Sequence, residues 1–202
     1  TKIVFSSTAA AYGLVCEDKL IDEYTNLNPQ NPYAESKIQT EKFLFDNADD
    51  FQFIILRYFN VAGADKKLRS GQISKKSTHL IKKISEVIVG KIDQIEVFGN
   101  DYNTPDGTAI RDYIHVSDLA DIHVEVAKYL LENLGSNLFN CGYGNGFSVL
   151  DVVNTTNSIY QNKIIHKFSN RREGDVEKLI ADASKLLKYI KWQPKYNNLT
   201  EI

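Results

Sequence analysis

The chain has 202 residues, a formal net charge of −2 and 43% hydrophobic residues. This composition is typical of a globular protein and excludes a disordered chain, a collagen and a disulfide scaffold. The only two cysteines, Cys16 and Cys141, are far apart and form no C-x-x-C pair, which favours a reducing, cytoplasmic compartment. No apolar run reaches the ~20 residues of a membrane span. The balanced charge argues against nucleic acid as a partner.

Apolar runs and capping residues predict alternating strands and helices in the first part of the chain. Residues 2–5 form an apolar, β-branched run, as expected for a buried strand of a parallel sheet. Asn31 followed by Pro32 is typical of a helix start, and the helix is predicted to extend to about residue 45. Residues 53–59 repeat the buried-strand pattern. This β–α–β order predicts an α/β fold with a parallel sheet.

The remainder of the chain continues the same alternation. A polar, basic stretch at 65–77 is predicted to be a loop. Gly142, Gly144 and Gly146 predict a tight turn, because G-x-G-x-G lacks the spacing of a dinucleotide-binding loop. Serines are the predicted N-caps of two helices. The predicted strands lie at residues 95–98, 113–116, 138–140 and near 164–165, and the predicted helices at 80–88, at 117–130 with Ser117 as N-cap, at 148–160 with Ser148 and Asp151 as a capping box, and near 183–190.

The pattern with a chemical mechanism is Tyr33-x-x-x-Lys37 on the first predicted helix. Residues four apart share one helix face. A tyrosine with its usual pKa of ~10 becomes a base near neutrality only after a fall of about three units, worth roughly 4 kcal/mol. A lysine charge within ~4–6 Å supplies one to three of these units. The same spacing also occurs by chance as an exposed surface pair. The neighbouring residues are therefore needed to distinguish a catalytic pair from a surface pair.

The neighbours of this pair favour a catalytic site. Thr8 ends the first predicted strand and Asn60 follows the second. Both are therefore expected at the carboxyl edge of the sheet, where α/β proteins bind ligands. There Thr8 would place a hydroxyl beside the Tyr33 phenol, and Thr8, Tyr33 and Lys37 together would move a proton on and off a substrate alcohol.

Five segments extend this pattern over nearly the whole chain. They are SSTAAAYG at 6–13, NPYAESK at 31–37, LRYFNVAGA at 56–64, FGNDYNTPDGTAIRDYIHV at 98–116 and RREGDVEKLIAD at 171–182. With them the chain resembles the UDP-glucose 4-epimerase family, extended short-chain dehydrogenases/reductases that act on nucleotide sugars. The resemblance implies an α/β fold made of the C-terminal part of a doubly wound, Rossmann-type parallel sheet plus a smaller mixed α/β substrate-binding domain.

The resemblance also divides the chain. Residues 1–64 would form the C-terminal half of the dinucleotide-binding domain and residues 65–202 mainly the substrate-binding domain, with about 112–134 returning to the first. The family's glycine-rich pyrophosphate loop would precede Thr1, and the sequence contains no methionine. We therefore expect a piece of a longer enzyme. We also expect the isolated chain to bind NAD weakly or not at all and not to turn over.

The activity implied by the resemblance is interconversion of UDP-glucose and UDP-galactose through transient NAD-dependent oxidation at sugar C4. Tyr33 would be the base, Lys37 would bind the nicotinamide ribose and keep the Tyr33 pKa low, and Thr8 would relay the proton. The implied NAD-binding residues are Ser6, Ser7, Tyr33, Lys37 and Phe59. The implied substrate-binding residues are Thr8, Asn60, His79, Leu80, Val97, Phe98, Arg111, Arg172 and Asp175.

Two arginines are the implied ligands of the sugar diphosphate. Arg111 and Arg172 suit this role because a guanidinium is always charged and binds phosphate in a bidentate manner. The alternative is that they form surface ion pairs with Asp112 and Glu173. The four histidines of the chain lack metal-ligand spacing, so we expect no metal.

Departures from the family pattern leave alternatives open. His79 stands where the family usually has Asn, and Leu179 where a Tyr or a small residue tunes tolerance for N-acetylated sugars. A nucleotide-sugar dehydratase or decarboxylase is the enzymatic alternative, although a 4,6-dehydratase would carry Asp-Glu where Ala9 and Ala10 stand. A non-catalytic nucleotide-binding protein is the alternative from another class. A homodimer through the helix of Tyr33 is a further expectation.

Overall fold

The structure is a computed structural model that describes residues 1–15, 19–75, 77–132, 135–160 and 163–202, so Cys16 lies outside it. The strands of the described residues are β1 (Lys2–Thr8), β2 (Gln52–Tyr58), β3 (Asn60–Ala62), β4 (Ile95–Phe98), β5 (Ile110–His115), β6 (Asn137–Cys141), β7 (Gly146–Ser148), β8 (His166–Ser169) and β9 (Lys178–Leu179). Their helices are α1 (Pro32–Asp46), α2 (Leu80–Ile88), α3 (Val116–Leu131), α4 (Val149–Tyr160) and α5 (Ser184–Tyr189), with a 3-10 turn at Ala9–Tyr12.

The first sheet is parallel and has the strand order β1-β2-β6. Alternate residues of β2 face opposite sides of it. Ile54 and Leu56 pack in a core cluster with residues of α3 and α5, whereas Phe53 and Ile55 pack with Leu44 of α1. Helices therefore cover both faces, which confirms the predicted doubly wound α/β arrangement.

The second part of the fold is a mixed sheet built around β5. β3 and β9 pair with β5 in parallel and β7 pairs with it antiparallel, while β4 and β8 form a separate parallel pair. Helices α2 and α4 pack with this part through a cluster that includes Ile84, Val97 and Val152. The first sheet also takes in residues 137–141 as β6, so its share of the chain extends beyond the predicted segment 112–134. Across the described ranges no helix has the length and apolarity to cross a bilayer.

Most predicted elements are confirmed, and three boundaries are corrected. The strand predicted at 113–116 begins earlier, at Ile110, as β5. The N-cap of α3 is His115 and not Ser117, because the His115 ring Nδ1 accepts a hydrogen bond from the Ser117 backbone N at 3.1 Å. The strand predicted near 164–165 begins later, at His166. Ile164 is buried against α4, but Ile165 is 55% exposed, so the apolar pair marks the approach to the strand.

Two predicted local features precede α4, a capping box and a glycine-rich turn. In the capping box of α4, the Ser148 N donates to Asp151 Oδ2 and the Asp151 N donates to Ser148 Oγ, both at 2.9 Å. The glycine-rich segment at 142–146 is a turn that leads into β7, as predicted. Gly142 is required there, because a Cβ at this position would lie 2.5 Å from Asp112 Oδ2.

Candidate active site

Helix α1 presents Tyr33 and Lys37 on one face, at the carboxyl end of β1. Asn31 caps the helix by accepting a hydrogen bond from the Ala34 N at 2.9 Å. Lys37 Nζ donates to the Ser6 backbone O at 2.9 Å and lies 5.7 Å from the centre of the Tyr33 ring. The Tyr33 side chain is 57% exposed. The tyrosine is therefore accessible to a ligand, while its lysine is fixed to the sheet.

The carboxyl ends of the three parallel strands coincide at this position. Thr8 pairs with Tyr58, and Tyr58 pairs with Cys141. The Thr8 side chain is nearly buried, and its Oγ1 accepts a hydrogen bond from the Ala10 N at 3.1 Å, which caps the 3-10 turn. Asn60 begins the strand that follows β2 and is exposed. Thr8 and Asn60 thus lie at the same edge of the fold, as predicted.

Ser6 and Ser7, both predicted to contact NAD, have different environments. Ser6 is exposed, and its hydroxyl accepts a hydrogen bond from the Tyr58 OH at 2.7 Å. The same Tyr58 OH lies 2.6 Å from Nε2 of His123. Burial raises the pKa of Tyr58 to about 12, so its phenol is neutral at physiological pH. Ser7 is 2% exposed and donates its hydroxyl to Glu41, so its side chain is directed away from a ligand.

A buried ion pair beneath α1 was not predicted. Arg57 of β2 binds Glu41 of α1 with two hydrogen bonds, Nε to Oε1 at 3.0 Å and Nη2 to Oε2 at 2.5 Å. Burial alone would lower the pKa of the Arg57 guanidinium, but the hydrogen bonds and charge of Glu41 raise it above its usual value. The sequence did contain a signal, since Arg57 interrupts an apolar strand and a buried charge needs a partner.

The ion pair continues into a network of neutral side chains. Arg57 Nη1 donates to the Tyr12 OH at 3.0 Å, and Tyr12 donates to Asn140 Oδ1 at 2.6 Å. Asn140 Nδ2 donates in turn to the Ile21 backbone O at 2.8 Å. Burial raises the pKa of Tyr12 to about 12. The network therefore joins α1, the 3-10 turn and all three strands of the first sheet through hydrogen bonds that persist across the neutral pH range.

Arg111 lies on β5, in the second part of the fold. Its Nη2 is 3.3 Å from Asp175 Oδ1, so Arg111 pairs with Asp175 and not, as the alternative had it, with Asp112. Arg111 is paired in register with Leu179, and Leu179 packs against a cluster that contains Phe59. The structure thus places Arg111 next to Asp175 and Leu179, which lie more than sixty residues further along the chain.

Arg172 contacts an aromatic ring. Its guanidinium carbon lies 3.7 Å from the centre of the Phe98 ring, whereas the neighbouring Arg171 forms the ion pair, with Asp101 at 2.7 Å. Stacking leaves the edges of the Arg172 fork open to an anion. Val97 is fully buried, backbone included, so the predicted substrate contact has no exposed surface at this residue.

The predicted sites at His79 and Leu80 are at the start of α2. His79 occupies the N-cap position without a side-chain capping bond, and it is exposed. Leu80 is half-buried and packs against the cluster of α2 and α4. Both residues therefore keep some exposed surface, and their role as substrate contacts stays a prediction.

A tyrosine and a lysine one turn apart, at the carboxyl edge of a doubly wound sheet, define a site of the short-chain dehydrogenase/reductase type. The model of the NAD dependent epimerase/dehydratase family matches residues 1–142. The chain belongs to this family.

Relatives in this family are similar along the entire chain. The UDP-glucose 4-epimerase of Azospirillum brasilense is 47% identical over 203 residues, which cover 100% of this chain and 58% of that protein. The UDP-glucose 4-epimerase of Streptococcus mutans is 42% identical over 202 residues, which cover 99% of this chain and 60% of that protein. A crystal structure of the UDP-glucose-4-epimerase of Stenotrophomonas maltophila, with bound NAD and formylated UDP-arabinopyranose, has a TM-score of 0.94 at 33% identity and covers 100% of this chain and 60% of that one. The chain thus spans about 60% of the length of these relatives.

Proposed function

We propose that the protein containing this chain is an NAD-dependent epimerase that interconverts UDP-glucose and UDP-galactose. The observation that carries the proposal is the pair of Tyr33 and Lys37, with Lys37 held 2.9 Å from the Ser6 carbonyl at the edge of a parallel sheet. Relatives at 47% and 42% identity are UDP-glucose 4-epimerases, and they retain the similarity across both parts of the fold.

The residues at this edge fit a nicotinamide cofactor. Tyr33 and Ser6 are exposed there, and Lys37 provides an ammonium group that can donate to ribose hydroxyls. NAD, when bound, supplies the acceptor and later the donor of the hydride at sugar C4. Phe59 is buried in the cluster with Ala9, against which Leu179 packs.

Proton transfer at the sugar falls to three residues of this chain. Tyr33, as the phenolate, takes the proton of the 4-hydroxyl while the C4 hydrogen leaves as hydride, which produces a 4-keto sugar. Thr8 orients that hydroxyl and relays its proton, and the Lys37 charge stabilises the phenolate. Once NAD had returned the hydride to the opposite face of the keto sugar, Tyr33 would give the proton back to the C4 oxygen. No net oxidation results.

The second part of the fold supplies the contacts for the nucleotide. Arg111 and Arg172 bind the diphosphate, with Asp175 orienting Arg111 from 3.3 Å. Phe98 contacts the uracil, and Val97 supports this stretch of β4 from the interior. His79 and Leu179 affect the range of sugars, because Leu179 lies in one cluster with Phe59 and adds bulk next to the cofactor position.

An epimerase is favoured over a dehydratase on the same scaffold. Elimination of water needs a carboxylic acid beside the proton relay. Ala9 and Ala10 follow Thr8 in this chain, and Ala9 is packed in the core against Tyr12 and Phe59. These residues supply no acid for the elimination step.

Replacement of Tyr33 by Phe tests the proposal. In the protein expressed from its complete gene, conversion of UDP-galactose to UDP-glucose is followed with a coupling UDP-glucose dehydrogenase. We expect Y33F to lower kcat by about 10²- to 10⁴-fold, the usual contribution of a general base. Tyr24 is 85% exposed and provides the matched control Y24F, which should retain full activity. Equal rates for Y33F and the wild type would refute the assignment of the base.

The 202 residues of this chain are proposed to be insufficient for turnover on their own. The relatives extend well beyond the matched region, and the sequence contains no G-x-x-G-x-x-G loop to hold a pyrophosphate at a helix N-terminus. Isothermal titration of this chain with NAD should show no saturable binding at micromolar concentrations. Saturable binding in that range would contradict this part of the proposal.

A homodimer through α1 is the proposed assembly. Phe43 and Phe45 of this helix are 55% and 51% exposed, and large exposed aromatic side chains are candidates for an interface. Light scattering of the complete protein should give a dimer, and F43D should give a monomer. Ile73 lies in a loop and is 91% exposed, so I73D is the matched control and should remain dimeric. A dimer that persists in F43D would place the interface elsewhere.

A further inference from the structure

Helix α1 contacts the end of β1 through two successive turns. Lys37 donates to the carbonyl of Ser6, and Glu41, one turn further along, accepts from the hydroxyl of Ser7. Tyr33, Lys37 and Glu41 are spaced four residues apart and therefore lie on one face of the helix. The buried end of this row is the carboxylate of Glu41, and its exposed end is the phenol of Tyr33.

Apolar packing fixes this helix only weakly. Of its 15 residues, only Ala34, Glu41 and Leu44 are buried in this chain. Apolar contacts are not directional, so they tolerate small displacements of a helix along its axis. A bidentate pair between a guanidinium and a carboxylate is directional and sets both position and orientation. Arg57 provides this constraint from the central strand of the first sheet, with side-chain exposures of 5% for Arg57 and 3% for Glu41.

Arg57 itself has little freedom to move. Its remaining Nη1 is bound to the Tyr12 OH at 3.0 Å, and Tyr12 is held by Asn140 on β6. A displacement of α1 relative to the sheet would therefore break several buried hydrogen bonds at once. Each of these bonds is costly to leave unmade in the interior.

We propose that Glu41 and Arg57 are positioning residues for the reaction, which hold Tyr33 and Lys37 in register with the carboxyl end of β1. This inference rests on the proposed epimerase function. Glu41 acts through the helix and through Ser7 and has no contact with the substrate. The distance it controls is that between Lys37 and the Ser6 carbonyl, and through it the distance between the Lys37 charge and the Tyr33 phenol.

Neutralisation of the carboxylate in E41Q is the first test, made on the protein expressed from its complete gene. The shape of the side chain is kept, but the second hydrogen bond from Arg57 meets an amide NH₂. We expect kcat to fall by at least tenfold and by up to about 100-fold, the cost of a misplacement near 1 Å. The acid limb of the kcat profile should move to higher pH, because a displaced lysine charge stabilises the phenolate less. KM for the UDP-sugar should be nearly unchanged, since Arg111 and Arg172 belong to the other part of the fold.

Two further variants separate positioning from loss of stability. V153A removes buried volume from α4 and should reduce the folded fraction, while the pH profile of the folded enzyme stays that of the wild type. The double variant E41M/R57M replaces the ion pair by apolar side chains, which commonly preserves or increases stability. If the ion pair only stabilised the fold, this double variant would have the wild-type kcat. A positioning pair predicts a stable protein that keeps the reduced kcat and the shifted acid limb.

The outcomes distinguish this inference from the proposed function. If Y33F is inactive while E41Q and E41M/R57M show the wild-type kcat and pH profile, the positioning role is refuted and the epimerase proposal stands. If the complete protein epimerises no UDP-sugar, or if Y33F is fully active, both the positioning role and the epimerase proposal are refuted. A low kcat with a shifted acid limb in the stable double variant, together with an unshifted profile in V153A, supports the assignment.

Discussion

The pH dependence of stability at Asp112 tests the balance between burial and hydrogen bonding. Asp112 is a fully buried carboxylate on β5, next to Arg111. It accepts hydrogen bonds from the backbone N of Tyr143 at 3.0 Å, of Gly144 at 2.9 Å and of Ala181 at 3.2 Å. Burial opposes ionisation and these donors favour it, and burial prevails by raising the Asp112 pKa to about 6.

The size and sign of the effect follow from linkage. The pKa rises from 3.8 to about 6, a difference of about 2.2 units, which corresponds to about 3 kcal/mol. Because the folded state binds this proton more tightly than the unfolded state, the stabilising contribution is fully present below pH 3.8 and is lost as the pH rises through about 6. The variant D112N has no such proton. The free energy of unfolding of the wild type minus that of D112N should therefore fall by about 3 kcal/mol, mostly between pH 4 and about 6.5.

Urea unfolding of both proteins at half-unit steps from pH 4 to pH 7.5 measures this difference. A constant offset is expected as well, because an amide satisfies the three N–H donors less well than a carboxylate, but only the slope tests the reasoning. D46N, at the exposed end of α1, controls for the loss of one negative charge. A difference that is flat with pH, or that grows towards neutrality, would refute the argument, since it would mean that the backbone donors outweigh the cost of burial.

Three other predictions concern single positions. G13A should lower the free energy of unfolding by more than about 1 kcal/mol in urea titrations, because Gly13 has φ +59° and a Cβ would lie 1.6 Å from the Asn28 backbone O; no loss would contradict the clash. The Cys141 thiol, whose pKa burial raises, should react with iodoacetamide at pH 8 at least 100-fold more slowly in the native protein than in urea, as followed by peptide mass spectrometry. L56A should lower the free energy of unfolding by about 2–5 kcal/mol in the same titrations, because Leu56 is fully buried. L187A, at a 48% exposed position, should lower it by about 0.5 kcal/mol or less. Equal losses would contradict the assignment of the core.

The longer elements were predictable because local and tertiary preferences agree. The apolar run at 53–59 gives β2, and the Asn31-Pro32 start gives α1 with Asn31 as the observed cap. The reciprocal bonds of Ser148 and Asp151 likewise follow from sequence spacing alone. At such positions the side chain that specifies the element is also the one that satisfies its first backbone groups.

The short strands were not predictable, because they have two or three residues and no periodicity. β9 consists of Lys178 and Leu179 only, and it exists because β5 offers it a partner next to Arg111. The N-cap of α3 illustrates the same limit. Ser117 is the better cap by propensity, but the chain leaves β5 at His115, so the ring of His115 is the group placed over the first turn. Tertiary position overrides local preference in both cases.

Two buried carboxylates show why residue type alone did not predict which charged side chains lie in the interior. Glu41 and Asp112 are both charged residues that a sequence pattern would place at the surface, and both lie in the interior. Their partners differ, since Glu41 faces the full charge of Arg57 whereas Asp112 faces three backbone dipoles. Removal of the Glu41 charge leaves a buried guanidinium uncompensated, which costs about 3–5 kcal/mol. Removal of the Asp112 charge relieves an unfavourable ionisation at neutral pH. The same chemical change, carboxylate to amide, should therefore destabilise the attachment of α1, yet reduce the pH dependence of stability at β5.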